Sequence, residues 1–286
     1  MHRKLVFAVF SVIVMLAIAV SPVAAITGNW VEDFEHPYVG LIVFYDENDV
    51  FLGRCSGSLL DPYNFLTAGH CVPGAVRAIV YFQQDAGVNY DPATQLDPIT
   101  GYPEFCAAGT LGDVCATSDE IYNYGFPGGF PERKDVALVV LDQPIQLSEY
   151  GQLPEAGFLD GLATARGNQD VRFTASGYGL TYKQEEHNGK PNESYRERLM
   201  ALSTLVNVRS SLTYGFNIQT VGNGAGKGGT CNGDSGGPVF WGGYESNLIV
   251  AVTSFGLNEL CRGTDFAYRI DQPAVLAWLA EHMYTP

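Results

Sequence analysis

The chain has 286 residues, 46% of them hydrophobic and 16% charged, which is enough for a hydrophobic core and excludes an intrinsically disordered protein. Its 16 Lys and Arg stand against 31 Asp and Glu, and a formal net charge of −15 argues against nucleic acid as a partner. The length allows one large all-β unit or two small domains.

Residues 1–25 have the features of a secretory signal peptide. A basic head at 2–4 precedes an apolar run at 5–20, and small residues then lead to a cleavage site after Ala25. The alternative is a membrane anchor, but the run is short for a bilayer that needs about 20 residues. We therefore expect a secreted, extracellular protein with no membrane association after cleavage.

Short β-rich runs separated by turn residues follow along the chain. They lie at 39–45, 58–66, 76–82, 136–141, 171–176, 199–208, 238–241 and 248–255. One helix is predicted near the C-terminus, where Asp271 can cap it and Pro273 lies in its first turn. The pattern predicts an antiparallel all-β sandwich or barrel with a terminal helix.

The six cysteines are consistent with three disulfides in an exported protein, and fifteen pairings are possible. Their spacing favours Cys55–Cys71, Cys106–Cys115 and Cys231–Cys261. There is no CxxC motif, and His70 is the one histidine close to a cysteine, so we expect no metal site.

An acidic range between Arg77 and Arg133 contains no Lys or Arg but many carboxylates. Carboxylate oxygens bind calcium, yet no EF-hand spacing is present. We expect a solvated acidic loop and no cofactor, with calcium binding in this range as the alternative.

The segment 230–238, TCNGDSGGP, contains the candidate nucleophile. A serine between glycines can lie on a tight turn whose backbone N–H groups stabilise an oxyanion while the hydroxyl attacks a carbonyl. The base must be a histidine, and His70 directly follows an apolar strand and precedes a cysteine. Asp135 precedes the apolar run at 136–141 and is the candidate for orienting that histidine.

The phrases at 66–71, 135–141 and 233–238, in that order, resemble those of the chymotrypsin/trypsin family of serine peptidases, and the resemblance covers essentially the whole chain after residue 25. It implies two antiparallel six-stranded β-barrels with a C-terminal α-helix. The barrels would span about 26–150, with the acidic insertion at about 83–131, and about 151–270, followed by a helix at about 272–283.

The resemblance implies a serine endopeptidase in which Ser235 is the nucleophile, His70 the general base and Asp135 its orienting partner. The N–H groups of Gly233 and Ser235 would form the oxyanion hole. Cleavage after Ala25 would expose Ile26, whose new ammonium group would pair with Asp234 as in activated members of the family.

The family's substrate pocket corresponds to Gly229, Thr230, Ser254, Gly256 and Asp265. Asp265 stands where the family usually has glycine, and its carboxylate could receive Arg or Lys. The alternative is that Asp265 turns aside to bind backbone groups. We expect a basic or mixed preference before the scissile bond.

The same residues allow two other functions as alternatives. Gly233 to Gly237 also fits the GxSxG elbow of α/β-hydrolases, but a β run, rather than a helix, follows the serine. A non-catalytic binding or adhesion protein on the same fold is the second alternative, although the histidine and serine are both present. We expect a monomer that acts on polypeptides.

Overall fold

A computed structural model gives the fold of residues 26–86, 115–163, 170–180, 196–224, 226–258, 261 and 263–286. The predicted signal peptide lies outside these described residues. So do Cys106 of the predicted Cys106–Cys115 disulfide and four of the eight carboxylates of the acidic range, so the calcium alternative stays untested.

The described residues form sixteen strands and one α-helix. The strands are β1 (Thr27–Gly28), β2 (Trp30–Glu32), β3 (Val39–Tyr45), β4 (Phe51–Leu59), β5 (Asn64–Thr67), β6 (Arg77–Tyr81), β7 (Cys115–Ser118), β8 (Glu120–Asn123), β9 (Ala137–Val140), β10 (Arg172–Gly177), β11 (Leu199–Asn207), β12 (Asn217–Val221), β13 (Gly228–Gly229), β14 (Pro238–Trp241), β15 (Ile249–Gly256) and β16 (Thr264–Arg269). The helix α1 is Pro273–His282, and short 3₁₀ turns occur at Gly69–Cys71 and Asp160–Ala163.

The first sheet has the antiparallel order β7-β6-β3-β4-β5-β9-β8. One residue, Asp119, separates β7 from β8, so the chain from 115 to 123 behaves as one bent strand that pairs with β6 on one side and β9 on the other. The sheet therefore closes on itself as a six-stranded barrel. These strands lie within the range about 83–131 that we predicted to be an insertion, so part of that range belongs to the barrel.

The second sheet has the order β10-β14-β15-β16-β12-β11-β2, and β10 also pairs with β11. That pairing closes six strands into a second barrel, while β2 adds to the edge of β11. The predicted fold, two antiparallel six-stranded barrels with a C-terminal helix, is confirmed. A separate two-stranded pair joins β1 to β13.

The prediction of one β run at 58–66 is wrong. The chain reverses between β4 and β5, because the Asp61 Oδ1 accepts hydrogen bonds from the backbone N–H groups of Tyr63 and Asn64 at 2.9 and 3.0 Å. An aspartate that binds the backbone two and three residues further on favours a turn. The resulting hairpin brings β5 beside β9.

The predicted cap of α1 is also wrong. Gln272 occupies the N-cap position without a side-chain cap, and Pro273 begins the helix as predicted. Asp271 instead accepts two hydrogen bonds from Arg269, at 2.8 and 2.7 Å, and one from the Leu159 N–H at 2.7 Å. A buried guanidinium next to it offers stronger, charge-assisted hydrogen bonds than the helix N-terminus does.

Helix α1 packs on the first barrel although it follows the second barrel in the chain. Val275 and Leu279 are fully buried in the core of the first barrel, and the Trp278 ring lies 5.3 Å from that of Tyr124. The helix thereby connects the two halves of the molecule. Among the described residues, no helix is both long and apolar enough to cross a bilayer.

Candidate active site

His70 and Asp135 lie at the same edge of the first barrel because β5 and β9 pair in an antiparallel register. Thr67 is opposite Ala137, so the residues just after β5 meet those just before β9. The His70 backbone N–H donates to Asp135 Oδ1 at 2.7 Å, and the His70 Nδ1 lies 2.9 Å from Oδ2. Two contacts to one carboxylate fix both the position of the imidazole and the nitrogen that faces Asp135.

The two side chains of this pair differ in their exposure to solvent. The Asp135 side chain is 2% exposed and that of His70 is 27% exposed. Ser254 also donates its hydroxyl to Asp135 Oδ2. The sequence predicted Ser254 only as a pocket residue, and its contact with Asp135 was missed.

A disulfide between Cys55 and Cys71 attaches the histidine turn to β4, as predicted, with a Cα–Cα distance of 6.3 Å. Cys231–Cys261 is also formed. Cys55, His70 and Cys71 lie close enough together to suggest a metal site, but the two sulfurs are bonded to each other. They therefore cannot supply the thiolates that zinc would need.

Ser235 lies on a loop that both barrels hold. Its carbonyl accepts a hydrogen bond from the Ser56 N–H on β4 at 2.8 Å, and the N–H of Gly236 donates to the Thr253 carbonyl on β15 at 2.8 Å. Gly236 has a φ of +79°, and a Cβ there would lie 2.1 Å from Thr67 Oγ1, so only glycine fits. Ser235 itself is partly exposed.

The predicted oxyanion donors lie on the same loop. The Asn232 carbonyl accepts a hydrogen bond from the Leu180 N–H at 2.8 Å. Because C=O and N–H point in opposite directions across a trans peptide, this bond turns the Gly233 N–H away from Leu180. The N–H groups of Gly233 and Ser235 donate to no other described residue. They remain available for an acceptor on the side of the cavity that Ser235 and Asn232 line.

The structure brings together His70 with Asp135 and places Ser235 beside the pocket residues. Within the described parts of the chain, it gives no hydrogen bond between the Ser235 hydroxyl and His70. Catalytic hydrogen bonds in proteins without substrate are often long and become shorter only in the reacting complex.

Asp234 is fully buried beneath this loop. It accepts hydrogen bonds from the N–H groups of Gly179 and Cys231, both at 2.8 Å. Burial raises the pKa of Asp234 to about 7, although these two hydrogen bonds oppose the shift. Ile26, its predicted partner, is also fully buried, but it packs against Leu199 and Ala201, and their ion pair stays a prediction.

A cavity of about 480 Å³ opens beside Ser235. Four of the predicted pocket residues, Thr230, Ser254, Gly256 and Asp265, line it. Gly229 does not line it but lies behind Asp265, where a Cβ would approach Asp265 Oδ2 to 2.7 Å. Glycine at 229 therefore makes room for the carboxylate.

The two oxygens of Asp265 have different surroundings. Oδ2 accepts a hydrogen bond from the Thr230 N–H at 2.9 Å, whereas Oδ1 lies toward Gly256, 3.7 Å from where its Cβ would be. Burial raises the pKa of Asp265 to about 6, with the contacts to Thr230 opposing the shift. The carboxylate thus binds backbone and also faces the cavity.

Phe126 is a further residue of the site that the sequence analysis missed. Its ring centroid lies 6.0 Å from that of His70, and the Arg133 guanidinium lies 5.1 Å from the centre of the Phe126 ring. Phe126 lies in the range that we interpreted as an insertion, which explains why no sequence signal assigned it to the site.

Comparisons with known proteins agree with this geometry. The family model described as Trypsin matches residues 31–279. Brachyurin from Leptuca pugilator is 29% identical over 216 residues, which are 72% of this chain and 77% of that protein. The Spaetzle-processing enzyme from Drosophila melanogaster is 26% identical over 246 residues, but the match spans only 57% of its length and 78% of this chain.

A solved structure of HL collagenase superposes with a TM-score of 0.61 at 18% identity, covering 89% of this chain and 96% of that chain. At that identity the likeness concerns the fold. The family match, by contrast, covers most of the sequence, including the segments of His70, Asp135 and Ser235. The chain belongs to the trypsin family.

Proposed function

We propose that this protein is a secreted serine endopeptidase that hydrolyses peptide bonds through Ser235, His70 and Asp135. The observation that carries the proposal is that Asp135, which binds His70 through two hydrogen bonds, also binds Ser254, and Ser254 lines the same cavity as Ser235. The backbone donors of the Ser235 loop are unengaged by the described residues. A binding or adhesion role requires none of these features, so we favour the enzyme.

The reaction follows from the groups present. The Ser235 Oγ attacks the carbonyl carbon of the scissile bond while His70 Nε2 takes its proton, and Asp135 stabilises the imidazolium. The N–H groups of Gly233 and Ser235 bind the oxyanion. His70 then gives the proton to the leaving amine, and water releases the acyl group from Ser235 by the reverse proton transfers.

A fluorophosphonate probe tests this function directly. We expect it to label the folded, exported protein at Ser235 and to label neither the Ser235→Ala variant nor heat-denatured protein. The same preparation should cleave a denatured polypeptide. A folded protein that is neither labelled nor able to cleave would overturn the proposal and favour the binding alternative.

The pocket supports a preference for Arg or Lys, or a mixed preference that includes them. Asp265 lines the cavity beside Ser235, and a carboxylate of low exposure binds a cation strongly. Cleavage of a peptide library would measure the preference. A library profile without enrichment of Arg or Lys before the cut would contradict it.

We further propose that removal of residues 1–25 produces the active form. The new ammonium group of Ile26 would pair with Asp234, a buried carboxyl that burial otherwise keeps partly protonated near neutral pH. N-terminal sequencing of secreted, active protein should begin at Ile26. Active protein with another first residue would contradict this activation route.

A further inference from the structure

Ser56 is a buried residue of the first barrel whose backbone N–H and hydroxyl both contact the second half of the chain, while its carbonyl binds Thr67 within the first barrel. It lies on β4, is fully buried and follows Cys55 of the disulfide to the histidine turn. Its hydroxyl donates to the Gly233 carbonyl at 2.8 Å and accepts from the Tyr178 N–H at 2.9 Å. Its own N–H donates to the Ser235 carbonyl.

The hydroxyl of Ser56 therefore joins two segments that build the site. One is the nucleophile loop, and the other is the chain after β10, whose next residues bind the same loop. There the Gly179 N–H donates to Asp234 and the Leu180 N–H donates to the Asn232 carbonyl. A single buried oxygen thus holds both segments in register.

The bond to the Gly233 carbonyl matters because of the backbone at Gly233. Its φ is +99°, a conformation that glycine adopts without strain but from which it can also rotate easily. The Gly233 carbonyl belongs to the peptide that follows the first oxyanion donor and precedes Asp234. Fixing that carbonyl fixes one side of Gly233, and the Leu180 bond fixes the other.

We infer that the Ser56 hydroxyl is a positioning group for the oxyanion hole, which it keeps assembled by holding the Gly233 carbonyl against Tyr178. This inference rests on the proposed peptidase function. The Ser56 hydroxyl acts through the Gly233–Asp234 peptide, which lies between the two peptides that carry the Gly233 and Ser235 N–H groups. Its effect is on the transition state, because the two N–H groups must converge on the carbonyl oxygen when negative charge develops there.

The packing around Ser56 favours substitution by a smaller residue as the test. A Cβ on Gly177 would lie 3.0 Å from the Ser56 Oγ, so a larger side chain at 56 would collide with this segment. Ser56→Ala removes only the hydroxyl and keeps the backbone bond to Ser235. Ser56→Gly removes the same hydroxyl and serves as the second variant if the alanine variant does not fold.

Ser58 provides a matched control. It lies two residues further along β4 and is also fully buried, but its hydroxyl has no hydrogen-bond partner among the described residues. Ser58→Ala therefore removes a hydroxyl from the same strand without releasing the nucleophile loop. Ser58→Ala thus controls for the removal of a buried serine hydroxyl from β4, whereas only Ser56→Ala also breaks hydrogen bonds to the nucleophile loop and to Tyr178.

The experiment measures kcat and KM on a peptide amide, together with inhibition by a peptide aldehyde, which forms a tetrahedral adduct with the nucleophile. Removing an oxyanion donor outright costs about 10²–10³-fold in kcat, so loosening the loop is expected to cost about tenfold. For Ser56→Ala we expect kcat to fall about tenfold, KM to stay within about twofold, and aldehyde binding to weaken by about the same factor as kcat.

Ser58→Ala should keep all three constants within about twofold. Equal kcat and aldehyde affinity in wild type and Ser56→Ala would overturn the inference, as would a loss that appears only in KM or equally in Ser58→Ala. Wild-type turnover and probe labelling of Ser235 are measured first. Their absence would instead refute the proposed function, so the two failures are distinguishable.

Discussion

Two aspartates of this molecule, Asp135 and Asp33, have nearly the same set of hydrogen-bond donors. Asp135 accepts from the backbone N–H and the Nδ1 of His70 and from the hydroxyl of Ser254. Asp33 accepts from the backbone N–H and the Nδ1 of His36, at 3.0 and 2.9 Å, and from the hydroxyl of Ser176. One carboxylate, one histidine and one serine form both centres.

The centres differ in what happens to the other ring nitrogen. His36 Nε2 lies 3.2 Å from the Ser246 carbonyl, and its ring stacks on Phe240 with centroids 4.2 Å apart. The His36 side chain is 1% exposed, whereas that of His70 is 27% exposed. Both nitrogens of His36 are therefore in use, and only His70 has one that can exchange a proton with a substrate or nucleophile.

The centre at Asp33 has a structural role instead. Arg198 donates from Nε to the Asp33 carbonyl at 2.9 Å and from Nη1 to the Val39 carbonyl at 3.1 Å. Ser176 on β10 binds the Asp33 side chain. This centre therefore attaches the chain before the first barrel to the second barrel. The same three residue types thus form the proposed catalytic centre at Asp135 and a structural centre at Asp33, and the two differ in the access of one histidine nitrogen.

His70→Ala gives the largest expected effect. Without the base, kcat should fall about 10⁴-fold or more, because the remaining oxyanion donors and pocket supply only the residual rate. The free energy of unfolding should change by less than about 1 kcal/mol, since the imidazole is partly exposed and water can take its place beside Asp135. Steady-state kinetics and urea unfolding measure the two quantities. A His70→Ala protein that keeps its activity would remove the distinction between the centres.

His36→Ala should show the opposite pattern. It leaves the Asp33 carboxylate buried with fewer partners and removes a stacked ring, so the free energy of unfolding should fall by about 3 kcal/mol. The kcat of the folded protein, normalised by probe labelling, should stay within about twofold. Urea unfolding with labelled-site titration tests this. A stable His36→Ala protein with low kcat would show that the centre at Asp33 also affects catalysis.

The sequence alone predicted that His70 and Asp135 act together, but it gave no sign of the centre at Asp33. His70, Asp135 and Ser235 each lie in a distinctive phrase, and a resemblance needs only such local phrases. Asp33 and His36 are three residues apart, but Ser176 meets them only when β2, β10 and β11 assemble. A contact of that range leaves no local pattern in the sequence.

The fold shows the same limit. The run at 39–45 matches β3, because seven consecutive buried residues are a strong signal. β7 and β8 were hidden in a range that we interpreted as an acidic insertion, since Ser118 and Glu120 lack the apolar alternation of a strand. Ser56 was missed for another reason: its role depends on a hydroxyl reaching the Gly233 carbonyl across the two barrels.

Asp265 is a partly buried carboxylate that, unlike Asp33 and Asp135, has a backbone N–H rather than an imidazole as its partner. Asp265→Asn keeps the shape but removes the charge, so kcat/KM for Arg and Lys substrates should fall about 100-fold, with less than about threefold change for uncharged residues. The wild-type preference for basic residues should also increase as pH rises through about 6, where Asp265 loses its proton. Paired substrates differing only in that residue measure both effects.

Two outcomes would contradict this role of Asp265. An equal loss on basic and uncharged substrates in Asp265→Asn would show that Asp265 acts on the loop of Ser235 and not on the substrate. A preference that stays constant between about pH 5 and 8 would contradict the assignment of the titration to Asp265. In either case Asp265 would belong with Asp33 as a structural carboxylate.

The smallest expected effect concerns the pH dependence of stability at Asp33. Burial would raise its pKa, but the hydrogen bond and charge of His36, the Ser176 hydroxyl and the Arg198 charge outweigh burial, so the pKa is lowered. A lowered pKa stabilises the fold above the unfolded value of about 3.8, and this contribution is lost as pH falls below it. As the pH falls below about 3.8, the unfolding free energies of wild type and Asp33→Asn should therefore converge by about 1 kcal/mol per pH unit. Urea unfolding between about pH 3 and 7 measures the gap, and a gap that stays constant over this range would show that Asp33 acts through packing and not through its charge.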